Sequence, residues 1–224
     1  MCGRFAQFTS GDVLEAQFEA TYAGERLPAR YNVAPGTPIL VCRVDQQGRR
    51  HLMPVHWGLI PSWAKDRKVG YRTINARAET VTEKPAFRAA FRRRRCLIPA
   101  DGFYEWQAAP GGKQPFFIRH HTGRPLAFAG LWERWTDPER GEPLESATII
   151  VTRANAQLQP IHARMPVILD PSDYETWLDP QNLAGEPLQA LLQPFAEDAL
   201  ISYAVSRRVN RPQEDDAGLI EEDQ

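Results

Sequence analysis

Apolar residues in this chain fall mainly into short runs that are bounded by turn-forming residues. Such runs predict β-strands, which we place at residues 39–44, 52–57, 96–99, 116–119, 126–132, 147–152, 167–169 and 200–205. Val13, Leu14 and Phe18 recur at helical spacing, which predicts a helix over 11–20 that Ser10 caps and Gly24 ends. Further helices are expected at 84–93, at 172–178 after Pro171, and at 187–192.

The helices are too few and too irregularly spaced for the strand–helix alternation of a doubly wound sheet. We therefore predict an α+β fold, a single domain with a curved, mostly antiparallel, β-rich and barrel-like core flanked by a few helices. The 19 Pro and 15 Gly are spread along the chain, so no linker divides it. We expect one domain over 1–212 and an acidic, disordered tail over 213–224.

Charge and cysteine content restrict the class of protein. The chain has 27 Lys and Arg against 28 Asp and Glu, but six of the acidic residues follow Pro212, so the domain itself is net positive. Arginine accounts for 23 of the 27 basic residues, which suits contacts with phosphates, although a GC-rich genome would give the same bias. The three Cys lack paired spacing, which predicts neither disulfides nor a CxxC metal site. With no apolar leader or spanning run, we expect a cytoplasmic protein without a membrane partner.

The most unusual chemical feature is Cys2, directly after the initiator Met. Removal of Met1 would leave an α-amine with a pKa near ~8 and a thiol with a pKa near ~8.5 on one residue. Such a 1,2-aminothiol captures aldehydes as a Schiff base that closes to a five-membered thiazolidine. The alternative interpretation is an ordinary residue at a frayed terminus.

Two further segments could supply proton transfer. Glu105 stands between Tyr104 and Trp106, where desolvation would raise its pKa and suit it to acid–base work, although strand alternation equally allows an exposed position. His162 stands two residues before Arg164, so an extended chain would point both to one side. The histidine could shuttle protons, or it could simply be hydrogen-bonded in a loop. The other four His show no metal-ligand spacing with it, and we expect no metal and no cofactor.

Candidate nucleic-acid contacts are three arginines and one tryptophan. Asn75 and Arg77 share a face of an extended segment, although Asn75 would also fit a turn. The arginines Arg4, Arg77 and Arg164 would form a phosphate-binding surface if the fold brought them together. Trp63 could stack on a base, whereas most of the six Trp are expected in the core.

Taken in order, these segments resemble the SRAP family (SOS-response-associated peptidase-like proteins, also described as abasic-site processing proteins) over nearly the whole chain. The resemblance is carried by Cys2–Phe5, Tyr31–Pro35, Trp57–Leu59 with Pro61 and Trp63, Asn75–Thr80, Arg95–Pro99, Gly102–Trp106, and Ile161–His162 with Arg164–Pro166. The chain departs from the family where Ala64 replaces a second aromatic residue and Ala163 replaces an acidic one. The acidic tail is also outside the shared pattern.

The resemblance implies a sensor of abasic sites in single-stranded DNA that crosslinks itself to the lesion through Cys2 and shields it. It carries the catalytic roles onto Cys2, Asn75, Glu105 and His162, and the DNA contacts onto Arg4, Trp63, Arg77, Arg164 and, less directly, Thr152. Asn75 would orient the amine, Glu105 would protonate the sugar oxygen or carbinolamine, and His162 would assist ring opening and reversal. We expect a lyase-like monomer that reaches the nucleoid through DNA.

Two other functions use the same residues. A thiol peptidase would attack a carbonyl with Cys2 and use His162 as base, in its minimal form to remove Met1. A non-catalytic binder of single-stranded DNA would account for the arginine excess and the aromatic residues alone.

Overall fold

Most of the buried apolar residues lie on β-strands in the computed structural model, which describes residues 2–182 and 185–223. The strands are β1 (Phe5–Gln7), β2 (Ala20–Tyr22), β3 (Arg30–Val33), β4 (Pro38–Val44), β5 (Arg50–Trp57), β6 (Asn75–Arg77), β7 (Arg95–Ala100), β8 (Gly102–Ala109), β9 (Gly112–His120), β10 (Leu126–Thr136), β11 (Pro143–Arg153), β12 (Arg164–Pro166) and β13 (Leu200–Ala204). The helices are α1 (Gly11–Phe18), α2 (Arg88–Arg93), α3 (Tyr174–Leu178) and α4 (Glu186–Ala190). No helix of the described ranges is long and apolar enough to cross a bilayer.

Five of these strands close into a barrel. The order is β11, β10, β7, β4 and β5, and β5 returns to β11 through a parallel pairing of Trp57 with Ala147. The strands β6 and β12 extend the sheet beside β11, and β2 extends it beside β5. A second sheet has the order β13, β9, β8, β1, β3. The predicted α+β fold with a barrel-like, mostly antiparallel core is therefore confirmed.

Alternation along the barrel strands divides the core into two clusters. On β4, Leu40 and Cys42 belong to a helix-side cluster that also holds Phe18, Phe91 and Trp177 of the helices, whereas Ile39 and Val41 face a sheet-side cluster. The sheet-side cluster joins the barrel to the second sheet. In it the ring of Phe5 meets those of Trp57 and Phe128, at 5.1 Å and 6.0 Å between ring centres. Each such fully buried side chain contributes about 1.5–3 kcal/mol.

Several predicted boundaries move in the structure. The first helix ends at Phe18 rather than near Gly24, because Glu19 adopts a left-handed conformation (φ 49°) and the chain continues into β2. Ser10 occupies the N-cap position, but its side chain makes no capping hydrogen bond. The strand expected at 167–169 is displaced to β12, and Ile168 forms an isolated bridge to Phe128.

The acidic segment 213–223 packs against the rest of the protein, in contrast to the disordered tail that composition predicts over 213–224, whose last residue, Gln224, lies outside the described residues. Leu219 is fully buried, and Asp216 caps the 3₁₀ turn Ala217–Ile220 through the N–H of Gly218. The carboxylate of Asp215 pairs with Arg30 and accepts hydrogen bonds from the backbone of β3. Composition suggested disorder because it reveals the charges but not the partners that neutralise them.

Candidate active site

Cys2 lies just before β1, and its side chain is fully buried in the sheet-side cluster. β1 pairs antiparallel with β8, where Phe5 faces Phe103 and the N–H of Tyr104 donates to the carbonyl of Arg4 (3.0 Å). Continuation of this antiparallel register places Gly3 opposite Glu105, and Cys2, the preceding residue, lies close enough for the charge of Glu105 to act on its thiol. Burial raises the pKa of the Cys2 thiol, and the charge of Glu105 adds to the rise.

Glu105 points into the interior rather than into solvent. Side chains alternate along β8, so that Tyr104 packs with Ala6 and Val205 on one side while Phe103 and Glu105 face the sheet-side cluster. Glu105 is 4% exposed, and burial raises its pKa to about 7. The exposed position that alternation also allowed is thereby excluded, and the carboxyl is poised to exchange protons near neutral pH.

His162 connects this carboxyl with the surface. Its Nδ1 lies 3.6 Å from Oε2 of Glu105, and the side chains of the two residues are 32% and 5% exposed. The N–H of Arg164 donates to the same Nδ1 at 3.1 Å when the ring is neutral with its proton on Nε2. Burial lowers the pKa of His162, which favours the neutral, proton-accepting ring at neutral pH.

Asn75 is the first residue of β6, not a turn residue. β6 runs parallel to β11, with Asn75 beside Ile149 and Ala76 beside Ile150. Ile150 and Ala76 belong to the helix-side cluster and Ile149 to the sheet-side cluster, so Asn75 faces the same side as Cys2. Both atoms of its buried side-chain amide lack a hydrogen-bond partner among the described residues. A buried amide without hydrogen-bond partners lowers the stability of the fold by about 1–3 kcal/mol. Such unsatisfied polar groups recur at functional sites.

The predicted phosphate-binding residues have different surroundings. Arg77 is exposed on β6, and Arg164 forms an ion pair with Glu79. Thr152 is buried and lines a groove of about 530 Å³ together with Glu79. Arg4 is turned inward, where its Nη1 donates to Oδ1 of Asn32 and to the carbonyl of Val209, both at 2.8 Å. The structure therefore leaves Arg77 most accessible of the four, and their DNA contacts stay predictions.

Trp63 is held at the surface by a tethered loop. It is 64% exposed in a turn closed by the N–H of Ala64 and the carbonyl of Pro61, and Trp135 donates its indole N–H to the carbonyl of Ala64 (2.7 Å). The small Ala64 is buried beside Trp135. A flat, exposed indole on a fixed turn is suited to stacking on a base.

The sequence interpretation did not single out Tyr71, which is 69% exposed on the 3₁₀ turn Arg67–Arg72. Its ring lies 3.6 Å from where a side chain on Gly36 would begin. The signal was available, since Tyr71 follows a stretch rich in Lys and Arg, and an exposed aromatic residue among basic ones is typical of nucleic-acid contacts. The sequence interpretation also missed Lys113. Its positive charge lowers the pKa of Glu105, against the effect of burial, and lowers the pKa of His162 further.

In the described part of the chain, no group of three or more His, Cys, Asp or Glu could hold a metal ion. The three Cys are free and buried. The site is therefore an assembly of a thiol, a carboxyl, an imidazole and an amide around the start of the chain.

The family "SOS response associated peptidase (SRAP)" matches residues 1–212, and the chain belongs to it. "Abasic site processing protein YoqW" of Bacillus subtilis is 47% identical over 225 residues, with 99% of each chain covered. "Abasic site processing protein YedK" of Escherichia coli is 33% identical over 229 residues, again with 99% of each covered. The fold matches a crystal structure of a Bacteroides thetaiotaomicron protein with a TM-score of 0.90, 26% identity and full coverage of both chains.

Proposed function

We propose that this protein recognises abasic sites in single-stranded DNA and links itself to them covalently through Cys2. The family match and the names of two relatives support an action on abasic sites. The observation that carries the covalent proposal is the proximity of a buried aminothiol residue to Glu105, a carboxyl that titrates near pH 7. We further propose that it acts as a monomer on nucleoid DNA in the cytoplasm.

The chemistry starts when Met1 has been removed and Cys2 carries a free α-amine. The amine nitrogen adds to the aldehyde carbon of the ring-opened abasic sugar, and a proton moves to the carbonyl oxygen to give a carbinolamine. Loss of that hydroxyl as water leaves a C=N bond. The sulfur of Cys2 then adds to the same carbon, and the nitrogen keeps one proton. The net change is one thiazolidine ring and one water, with no oxidation or reduction.

Glu105 can serve both halves of this sequence. Its protonated form donates to the departing hydroxyl, and the carboxylate that results accepts the proton of the thiol as sulfur attacks. The proton balance therefore closes on one residue. Because burial raises the pKa of the Cys2 thiol, the sulfur stays protonated until this step, and the amine attacks first.

Asn75 and His162 assist at the two ends of the site. The unsatisfied amide of Asn75 supplies an acceptor and a donor that can orient the α-amine. His162, 3.6 Å from Glu105 and partly exposed, exchanges protons between that carboxyl and solvent and assists sugar ring opening and reversal of the link.

The strand would be held by charge and stacking at the mouth of the site. Arg77 and Arg164 would contact phosphates, with Glu79 released from Arg164 as a phosphate replaces it. Trp63 would stack beside the lesion. Arg4 and Thr152 remain proposed contacts: Arg4 would have to leave its inward hydrogen bonds, and Thr152 would have to be reached at a buried position.

A thiol peptidase that uses Cys2 and His162 is the second candidate, favoured by the family description. A peptidase attacks with a thiolate, whereas the raised pKa of Cys2 keeps its thiol protonated at neutral pH. Removal of Met1 is the one cleavage that the crosslinking function requires. A protein that binds single-stranded DNA without chemistry would have no use for the buried Cys2 and Glu105.

The deciding experiment mixes protein whose first residue is Cys2, as verified by mass spectrometry, with a single-stranded oligonucleotide carrying one abasic site. A stoichiometric band on a denaturing gel is expected, and it should require both the lesion and Cys2. Cys2→Ala should retain noncovalent binding but give no band. Absence of the band from the correctly processed protein, or turnover of peptides in its place, would overturn the proposal.

A further inference from the structure

We infer that the segment 213–223 is a brace for the N-terminal strand, and that Asp215 and Asn32 are positioning residues for Cys2. The brace itself is independent of the proposed function, and its catalytic consequence rests on that function. The family match ends at residue 212, so the segment lies beyond the part of the chain that the family pattern covers.

The brace begins at the open edge of the second sheet. β3 is the last strand of that sheet, with β1 on its inner side. Asp215 accepts hydrogen bonds from the backbone N–H groups of Tyr31 and Asn32 with one carboxylate oxygen, and its other oxygen pairs with Arg30. An edge strand normally leaves such N–H groups without a protein partner. A single acidic side chain therefore takes the place of a neighbouring strand.

Asn32 carries the brace inward from this edge. Its side chain is fully buried, and Nδ2 lies within hydrogen-bond distance of the carbonyls of Val209 (3.3 Å), Arg211 (3.1 Å) and Glu214 (2.7 Å). Its Oδ1 accepts from Nη1 of Arg4 at 2.8 Å. One amide thus connects the C-terminal segment with the residue that immediately precedes β1.

The same segment contacts both strands that bring the reacting groups together. Leu219 is buried in a cluster with Ala6 of β1 and Tyr104 of β8. The hydroxyl of Tyr104 donates to the carbonyl of Tyr31 at 2.7 Å, which ties β8 to β3. Because Cys2 precedes β1 and Glu105 lies on β8, the brace fixes the register on which their proximity depends.

Asp215→Asn tests the brace without DNA, since it keeps the shape of the side chain and removes its charge. Iodoacetamide labelling of each Cys, followed by mass spectrometry of the processed protein, measures local opening. We expect Cys2 to be alkylated at least about tenfold faster than in the wild type, because local opening exposes a group without global unfolding. Cys42 and Cys96 are equally buried and should keep their rates, which makes them internal controls.

Glu221→Gln is the matched control, because Glu221 is an exposed acid of the same segment. It should leave all three alkylation rates unchanged. If Cys2 in Asp215→Asn were alkylated at the wild-type rate, the proposed brace would be overturned. Parallel acceleration at all three Cys would also overturn it, because that pattern reports global destabilisation.

The catalytic consequence is measured as crosslinking rate against oligonucleotide concentration. Misplacing a nucleophile by about 1 Å can cost up to about a hundredfold in rate, so we expect Asp215→Asn to lower the saturating rate at least about tenfold. The half-saturating concentration should change less than about twofold, because the DNA surface is not altered. A purely structural loss would instead lower the amount of active protein and leave the rate of the remainder unchanged.

Arg208→Gln provides a second, milder variant if Asp215→Asn does not fold. Arg208 is exposed and pairs with Glu214 and Asp216 of the brace. Its loss should raise the alkylation rate of Cys2 and lower the saturating crosslinking rate, each by a smaller factor than Asp215→Asn does. If the wild type forms no crosslink but Cys2 labelling still responds to Asp215→Asn, the proposed function fails and the brace stands. If crosslinking and labelling are both insensitive to these changes, the brace fails alone.

Discussion

Burial of Glu105 makes the stability of the fold depend on pH in a defined direction. Its pKa rises from 4.5 to about 7, so the folded chain holds this proton more tightly than the unfolded chain does. The stability that the neutral carboxyl contributes is fully present below the pKa of Glu105 in the unfolded chain. It is lost as the pH rises through the higher pKa of Glu105 in the folded chain. The side chain of Glu105→Gln stays neutral at every pH. Above pH ~7 we therefore expect the free energy of unfolding of this variant to exceed that of the wild type by up to about 3 kcal/mol.

Thermal unfolding of both proteins at about pH 5 and pH 8 measures this difference, which should be small at the lower pH and large at the higher one. The exposed Glu221→Gln change should have no such dependence. An equal difference at both pH values would show that Glu105 is not buried as a neutral acid. The variant should also crosslink slowly, because a glutamine cannot supply the proton.

Asn75 makes a second prediction at the level of one residue. Its amide is buried without a partner in the described part of the chain, so replacing it with an apolar residue of similar size removes an unfavourable group. We expect Asn75→Leu to raise the free energy of unfolding by about 1–3 kcal/mol and to abolish or strongly slow crosslinking. Denaturant unfolding and the gel assay measure the two effects. A variant that is both destabilised and active would refute a functional role for the amide.

At the level of elements, the sequence predicted the longer strands well and the short ones poorly. β4, β5, β7, β10 and β11 contain continuous or alternating apolar runs, and each predicted strand lies inside the observed one. β1, β3 and β6 have only three or four residues each, too few for periodicity to be recognised, and their pairing partners are distant in sequence. These short strands carry or flank Cys2, Asn32 and Asn75.

The candidate site could be recognised from residue type and order, but its geometry could not. Alternation left the burial of Glu105 undecided, because the cluster that encloses it is assembled from the barrel and the second sheet. The inward orientation of Arg4 depends on hydrogen bonds to Asn32 and Val209. Val209 lies more than two hundred positions after Arg4 in the sequence. Contacts of that kind have no local sequence signal.

The loop that carries Trp63 and Tyr71 depends on a close approach between two glycines. Gly58 has φ +127°, and a Cβ placed on it would lie 2.6 Å from the carbonyl oxygen of Gly70. We expect Gly58→Ala to displace this loop, to lower stability by more than about 1 kcal/mol and to weaken DNA binding. Gly48→Ala is the matched control, with φ +77° but nothing within 4 Å, so it should cost stability alone. Unchanged affinity in Gly58→Ala would show that the loop does not contact DNA.

For the molecule as a whole, attraction to DNA must come from the distribution of charge rather than from its sum. The formal net charge is −1, and the acidic C-terminal segment pairs with Arg30 and Arg208. These pairs lower the repulsion that the segment would exert on a nucleic acid, and they leave Arg77 among the exposed cations near the site. Steering by such a local patch is sensitive to ionic strength.

Salt dependence therefore separates charge from stacking at the proposed DNA surface. Each phosphate neutralised on a single strand contributes about 0.7 to the slope of log affinity against log salt, so Arg77→Ala should lower the slope by about that amount. Trp63→Ala should weaken binding and leave the slope unchanged, because stacking releases no counterion. Arg140, exposed in the turn between β10 and β11, provides a charge-matched control whose removal should alter neither quantity. All three substitutions are measured by titrating a labelled abasic oligonucleotide with protein that also carries Cys2→Ala. An unchanged salt slope in Arg77→Ala would show that Arg77 does not contact DNA.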